Sequence, residues 1–112
     1  MVQSSTQFQD KRFVCKCGCG KASIDFYLVN LLNKLEEYFN YPPIIYLGVS
    51  CEDHNKVLGS SQAHIYGKAV DFAIPGVHIR DVEVILNSFT DICEISRYRT
   101  YIHMEMALEK TN

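Results

Sequence analysis

The sequence predicts an α+β domain in which two helices pack on a small, mostly antiparallel sheet. Two stretches, within 24–39 and 79–89, repeat apolar residues at helical spacing. Four short segments are apolar or alternate at a period of two, with turn residues between them. The chain has 112 residues, 47% of them hydrophobic, which suits one core, so 1–112 reads as a single domain.

Residues 1–12 are polar and expected to fray, with Phe8 and Phe13 as anchors. Residues 13–22 form a Cys- and Gly-rich turn. Ser23 reads as an N-cap, with Asp25 in the first helical turn, where the helix dipole favours a carboxylate. Ile24, Tyr27, Leu28, Leu31, Leu32, Leu35 and Phe39 make one stripe; Asn30, Asn33, Lys34, Glu36 and Glu37 make the opposite face. Asn40 and then Pro42-Pro43 end that helix. Ile44–Val49 reads as a strand, and Ser50–Ser60 as a polar loop with room for a short helical turn. Ser61–Ile74 reads as a loop entering a strand, stopped by Pro75-Gly76. Ile79, Val82, Ile85, Leu86 and Phe89 give the second helix. Ile92–Ser96 and Tyr101–Met106 are the last strands. Arg97-Tyr98-Arg99-Thr100 joins them without an Asn-Gly or Asp-Gly signal, and the tail from Leu108 is polar.

A formal charge of −2 gives no basic surface for nucleic acid or an anionic membrane. No stretch nears the ~20 apolar residues of a membrane span, and there is no Gly-rich phosphate loop or internal repeat. Neither nucleic acid nor membrane insertion is therefore expected; the oligomeric state is open. The start, MVQSSTQFQDKRF, has no apolar core, so no signal peptide is expected and synthesis is expected in the cytoplasm. Five cysteines are an odd number for a disulfide framework. Three lie in Cys15-Lys16-Cys17-Gly18-Cys19, which lacks the C-x2-C knuckle of common zinc sites. Reduced thiols in a tight turn are expected ahead of a structural metal, and pairing of one of the three with Cys51 stays open.

Two stretches carry chemistry. In Ser61–Ile74, Val70, Phe72 and Ile74 share an apolar strand face, while Ala69, Asp71 and Ala73 share an open one. His64 precedes them, and Gly67 allows a tight path back over that face. In Tyr101–Met106, Tyr101, His103 and Glu105 alternate with Ile102, Met104 and Met106. If the two strands are neighbours, His64, Asp71 and His103 converge. Two imidazoles and a carboxylate are a zinc set that leaves the fourth position for water. On spacing alone, hydrogen-bonded surface residues and a strand-ending Asp explain these positions more simply.

The order of the motifs resembles the superfamily of zinc D-alanyl-D-alanine carboxypeptidases, with D-Ala-D-Ala dipeptidases, phage L-alanyl-D-glutamate endolysins and the Hedgehog domain as relatives. His64-Ile65-Tyr66-Gly67-Lys68-Ala69-Val70-Asp71 matches the family's His-x-x-Gly-x-Ala-x-Asp in full. Cys51-Glu52-Asp53-His54-Asn55 resembles its Cys-x-x-His-Asn loop, and Phe13–Gly20 its entry segment in short members. Tyr101-Ile102-His103-Met104-Glu105 is similar to its closing strand, where short members often have His-x-Asp. The resemblance implies a Hedgehog/D-Ala-D-Ala peptidase-like fold, a Zn2+ cofactor and His64, Asp71 and His103 as its ligands. It implies a peptidoglycan stem peptide as substrate and action on the cell wall, with a phage-encoded enzyme one way for a leaderless chain to reach it. Two positions depart from the pattern. Ser50 stands where the family's substrate-binding Arg belongs, and Thr100 stands where many members carry an acid.

Zinc lowers the pKa of bound water from 15.7 toward about 7, and a carboxylate must then take the proton. Glu105, two residues after His103 on the same face, is the candidate; its rival role is to accept the N–H of a zinc-bound His. Tyr101 could donate to the oxyanion or pack at the sheet edge. Arg97 or Arg99 could replace the missing Arg, or be solvated turn residues. His54 could touch substrate or stabilise its loop. The missing Arg makes an endolytic cut the near alternative to a carboxypeptidase. A zinc-binding module without catalysis and a thiol protein built on Cys15, Cys17 and Cys19 are the rivals from other classes.

Overall fold

The computed structural model describes residues 7–106; residues 1–6, the polar tail from Leu108 and the Phe8 side chain lie outside the described residues. The centre is a four-stranded antiparallel sheet. Its strands are β3 (Ile44–Leu47), β4 (Ala69–Ala73), β5 (Cys93–Arg97) and β6 (Ile102–Met106), in the order β3-β4-β6-β5. A second, two-stranded sheet pairs β1 (Gln7–Gln9) with β2 (Ser23–Asp25). The helices are α1 (Phe26–Phe39), α2 (Glu52–Leu58) and α3 (Ile79–Phe89).

Alternation along the strands divides the sheet into two faces. Val70, Phe72, Ile102 and Met104 are fully buried on one face. They share a core with Leu28, Leu31, Leu32 and Leu35 of α1 and Val82 and Leu86 of α3. The other face carries Asp71, His103 and Glu105. β4 and β6 are adjacent, as the convergence of those residues requires, and the register sets Asp71 opposite His103 and Ala69 opposite Glu105. Directly opposed residues point to the same face, so Asp71 and His103 are neighbours by construction.

Three local readings are corrected. Ser23 is not an N-cap: Ser23–Asp25 is a strand, and Asp25 caps α1 by accepting the Tyr27 N–H at 2.8 Å. Ile24 fits the helical stripe because it lies four residues before Leu28, but an inward strand residue is equally apolar. Residues 7–12 are not frayed: β1 pairs with β2, and a 3₁₀ turn at Lys11–Phe13 buries Phe13 completely. In the Ser50–Ser60 loop the short helical turn the sequence allowed is a seven-residue helix, α2, so the described residues hold three helices rather than two. At the other end of α1, Asn40 adopts a left-handed conformation (φ 65°) as the C-cap.

Asp25 also joins the first sheet to the site segment. It is buried, pairs with Lys68 Nζ at 2.8 Å, and its N–H donates to Gly67 O. Asp25→Ala removes a cap and leaves a partly buried ammonium unpaired, so a loss of about 3 kcal/mol is expected. The measurement is the urea midpoint; an unchanged midpoint would mean that Lys68 simply swings to water.

Candidate metal centre

His64 ends a 3₁₀ turn at Gln62–His64 that Ser61 caps. Gly67 (φ 69°) then turns the chain into β4, and a Cβ there would collide with the Ser23 carbonyl, so only glycine fits this crossing. His64 is completely buried, and its Nδ1–H donates to Gly48 O at 2.7 Å. That bond fixes the tautomer and leaves the Nε2 lone pair free. Nε2 is buried without a hydrogen-bond partner among the described residues and lies 3.5 Å from Asp71 Oδ1. Buried polar nitrogens are nearly always satisfied, so an orphan aimed at a carboxylate and a second imidazole calls for a ligand.

His103 lies across the strand pair. Its Nδ1 meets Asp71 Oδ1 at 2.5 Å, and its ring centroid is 5.3 Å from that of His64. One donor atom each from His64, Asp71 and His103 falls within 4.8 Å of the others. Two nitrogens and a carboxylate oxygen so close are a donor set of the type zinc takes, and the residues fit that ion. Burial raises the Asp71 carboxyl, but the His103 hydrogen bond, with the His64 imidazole close by, outweighs it and holds the carboxyl below its usual range. The remaining nitrogen of His103, Nε2, donates to Glu105 Oε1 at 2.9 Å, and Ser61 Oγ donates to the same oxygen at 2.8 Å. Burial also opposes charge on Glu105, yet these bonds lower its pKa, so it is ionised at neutral pH.

The family model for Peptidase M15 matches residues 6–105. The chain belongs to the Peptidase M15 family. No curated protein and no solved structure matches it.

The other candidate residues of this Peptidase M15 member separate into those near His64, Asp71 and His103 and those held elsewhere. Tyr101 immediately precedes β6, stacked on Tyr98 at 4.7 Å and edge-on to Tyr46 at 6.1 Å. Burial, and after it the Asp71 charge, pushes its phenol up, so it stays a donor. Arg97 is not at the site. It pairs in register with Ile102, on the core side of the sheet, and its Nε meets Glu83 of α3 at 3.3 Å. Arg99 is exposed in the β5–β6 connection. Ser50 is fully buried, and its hydroxyl donates to Asn55 Oδ1 at 2.7 Å, so it presents nothing to a substrate. His54 faces the cysteines, with Nδ1 3.5 Å from Cys15 Sγ. The alanines beside Asp71 are buried rather than open. Two residues of the site face were missed: Ser96 and Glu94 lie opposite His103 and Glu105. Period-two reading of β5 would have found them once its register was known.

Proposed function

We propose that this Peptidase M15 member is a zinc metallopeptidase that hydrolyses peptidoglycan stem peptides containing D-amino acids. The observation that carries the reading is the buried, unpartnered Nε2 of His64 beside Asp71 and His103. His64, Asp71 and His103 would hold the ion. Zinc bound there would polarise a scissile carbonyl and make hydroxide available near neutral pH. Glu105 takes the water's proton, since it is ionised and lies on the same strand face, and it keeps the His103 ring in place meanwhile. Tyr101 donates to the developing oxyanion.

Mass spectrometry of pentapeptide and tetrapeptide stems incubated with zinc-loaded protein tests the reading. Cleavage that vanishes in His103→Ala is expected. The carboxypeptidase type releases terminal D-alanine, whereas an L-Ala-D-Glu type endolysin cuts internally. The burial of Ser50 and the Arg97–Glu83 pair favour the internal cut, because neither position offers a cationic fork to a terminal carboxylate. Zinc bound without any product would leave a non-catalytic zinc-binding module.

Glu105→Gln is expected to lower kcat by about 10²–10⁴ while zinc content is retained. Weaker zinc binding, by about 10–100-fold, with kcat restored at saturating zinc would instead limit Glu105 to positioning His103.

Proton and metal compete for His103. Burial lowers its pKa, but Asp71 and Glu105 outweigh that and raise it above 6.5. Zinc affinity is therefore expected to climb with pH through that raised value, with proton release on binding. Chelator competition between about pH 5 and 8 measures it; a flat profile would exclude His103 as a ligand.

A further inference from the structure

The cysteines of the entry loop form a cluster that the reading above does not use. The Cys15 N–H donates to Lys21 O at 2.7 Å and closes the loop, and Gly18 (φ 93°) and Gly20 (φ 87°) turn it. Across from this loop stands Cys51, the residue before α2. The sulfurs of Cys15, Cys17, Cys19 and Cys51 all lie within 4.8 Å of one another. Cys15 and Cys17 sulfurs are 3.5 Å apart, and those of Cys17 and Cys51 are 3.6 Å apart. Sulfurs at 2.3 Å around one tetrahedral zinc would be separated by about 3.8 Å, so the two short spacings are near those of a four-sulfur shell and Cys19 is within reach of it.

Donors point at these sulfurs as well. The Cys51 N–H reaches Cys15 Sγ at 3.3 Å, the His54 N–H reaches Cys51 Sγ at 3.4 Å, and the His54 ring lies 3.5 Å from Cys15 Sγ. Such bonds stabilise thiolates, the form a metal takes. Lys16 and Lys21 in the same loop offset part of the negative charge.

We propose that Cys15, Cys17, Cys19 and Cys51 bind a second, structural zinc ion, distinct from the centre at His64, Asp71 and His103. Each thiol releases its proton to solvent on binding. The ion would clamp the entry loop to the Gly48–Cys51 segment. That segment already meets its neighbours through Val49 N–H to Phe13 O at 2.8 Å and Ser50 N–H to His64 O at 3.2 Å. His54 thereby becomes a positioning residue for Cys15 rather than a substrate contact.

Full-length protein purified under reductant and loaded with zinc is assayed for metal by mass spectrometry. Two equivalents are expected in the wild type. One is expected in His103→Ala and one in the double variant Cys17→Ser/Cys19→Ser. Cobalt(II) substitution reads the site without mutation: sulfur-to-cobalt charge-transfer absorption is expected in the wild type and must persist in His103→Ala. Absence of that absorption in the cobalt-loaded wild type overturns the proposal even if the cysteine variant fails to fold. So does immediate reaction of Cys15, Cys17, Cys19 and Cys51 with a thiol reagent in zinc-loaded protein. Both results are independent of peptidase activity, so failure of the functional reading leaves this test intact.

Discussion

His103→Ala is expected to reduce stem-peptide hydrolysis by about 10³-fold or more and to remove the zinc bound with His64 and Asp71. A catalytic metal contributes several kcal/mol of transition-state stabilisation, and each 1.36 kcal/mol is a factor of ten. The ring is the partner that Asp71 meets at 2.5 Å, and its other nitrogen is tied to Glu105, so nothing else on β6 can take its place. Alanine removes both contacts. The fold should survive, because His103 is on the face away from α1 and α3 and its neighbours Ile102 and Met104 carry the core packing. A cost of about 1 kcal/mol is expected from the strand position itself. Turnover at saturating zinc, with metal content measured on the same sample, gives the result. Activity within tenfold of wild type would show that His103 is not a ligand and that the hydrolytic centre lies elsewhere.

Much of this architecture was legible because strand alternation is a strong signal. Val70, Phe72, Ile102 and Met104 announce the core face, and that leaves Asp71, His103 and Glu105 on the other. The helical stripes of α1 and α3 were legible for the same reason at a longer period. Features that depend on register or on distant closure were not. Arg97 looks like a turn residue beside the site, but its pairing with Ile102 sends it to Glu83 on the opposite face. One residue of register decides that, and the sequence between β5 and β6 has no turn signal that fixes it. The cysteine cluster needs Cys51, 36 residues beyond Cys15, and local spacing cannot reveal that approach. Ser50, seen only as a missing Arg, is a buried donor to Asn55 that ties the residues flanking Cys51 to α2.

Gly48→Ala should be among the most damaging small substitutions in the connecting segments, because it strikes fold and site together. A Cβ at Gly48 would lie 2.6 Å from Phe13 Cβ, 2.7 Å from Phe13 Cα and 2.8 Å from Phe13 O. None of these atoms can rotate away, since two belong to the backbone and the third is fixed to it. Relief requires the two segments to part, which strains the Val49 N–H bond to Phe13 O and shifts the Gly48 carbonyl. That carbonyl accepts the Nδ1–H of His64 and so sets which nitrogen faces Asp71. Overpacking and a weakened buried hydrogen bond together are expected to cost about 3 kcal/mol, a Tm drop of roughly 12–24 °C for a domain of this size. Zinc affinity at the histidine centre should fall by about 10–100-fold, as when an orienting partner of a ligand is lost. Gly59→Ala is the control: Gly59 has a left-handed φ of 68° but open space around it, so only about 1 kcal/mol is expected and zinc affinity should hold. Thermal melts and chelator competition on both variants separate the terms. Equal small effects in the two would mean that the contact with Phe13 relaxes at little cost. A loss confined to Gly48→Ala ties the approach of Phe13 to the orientation of His64.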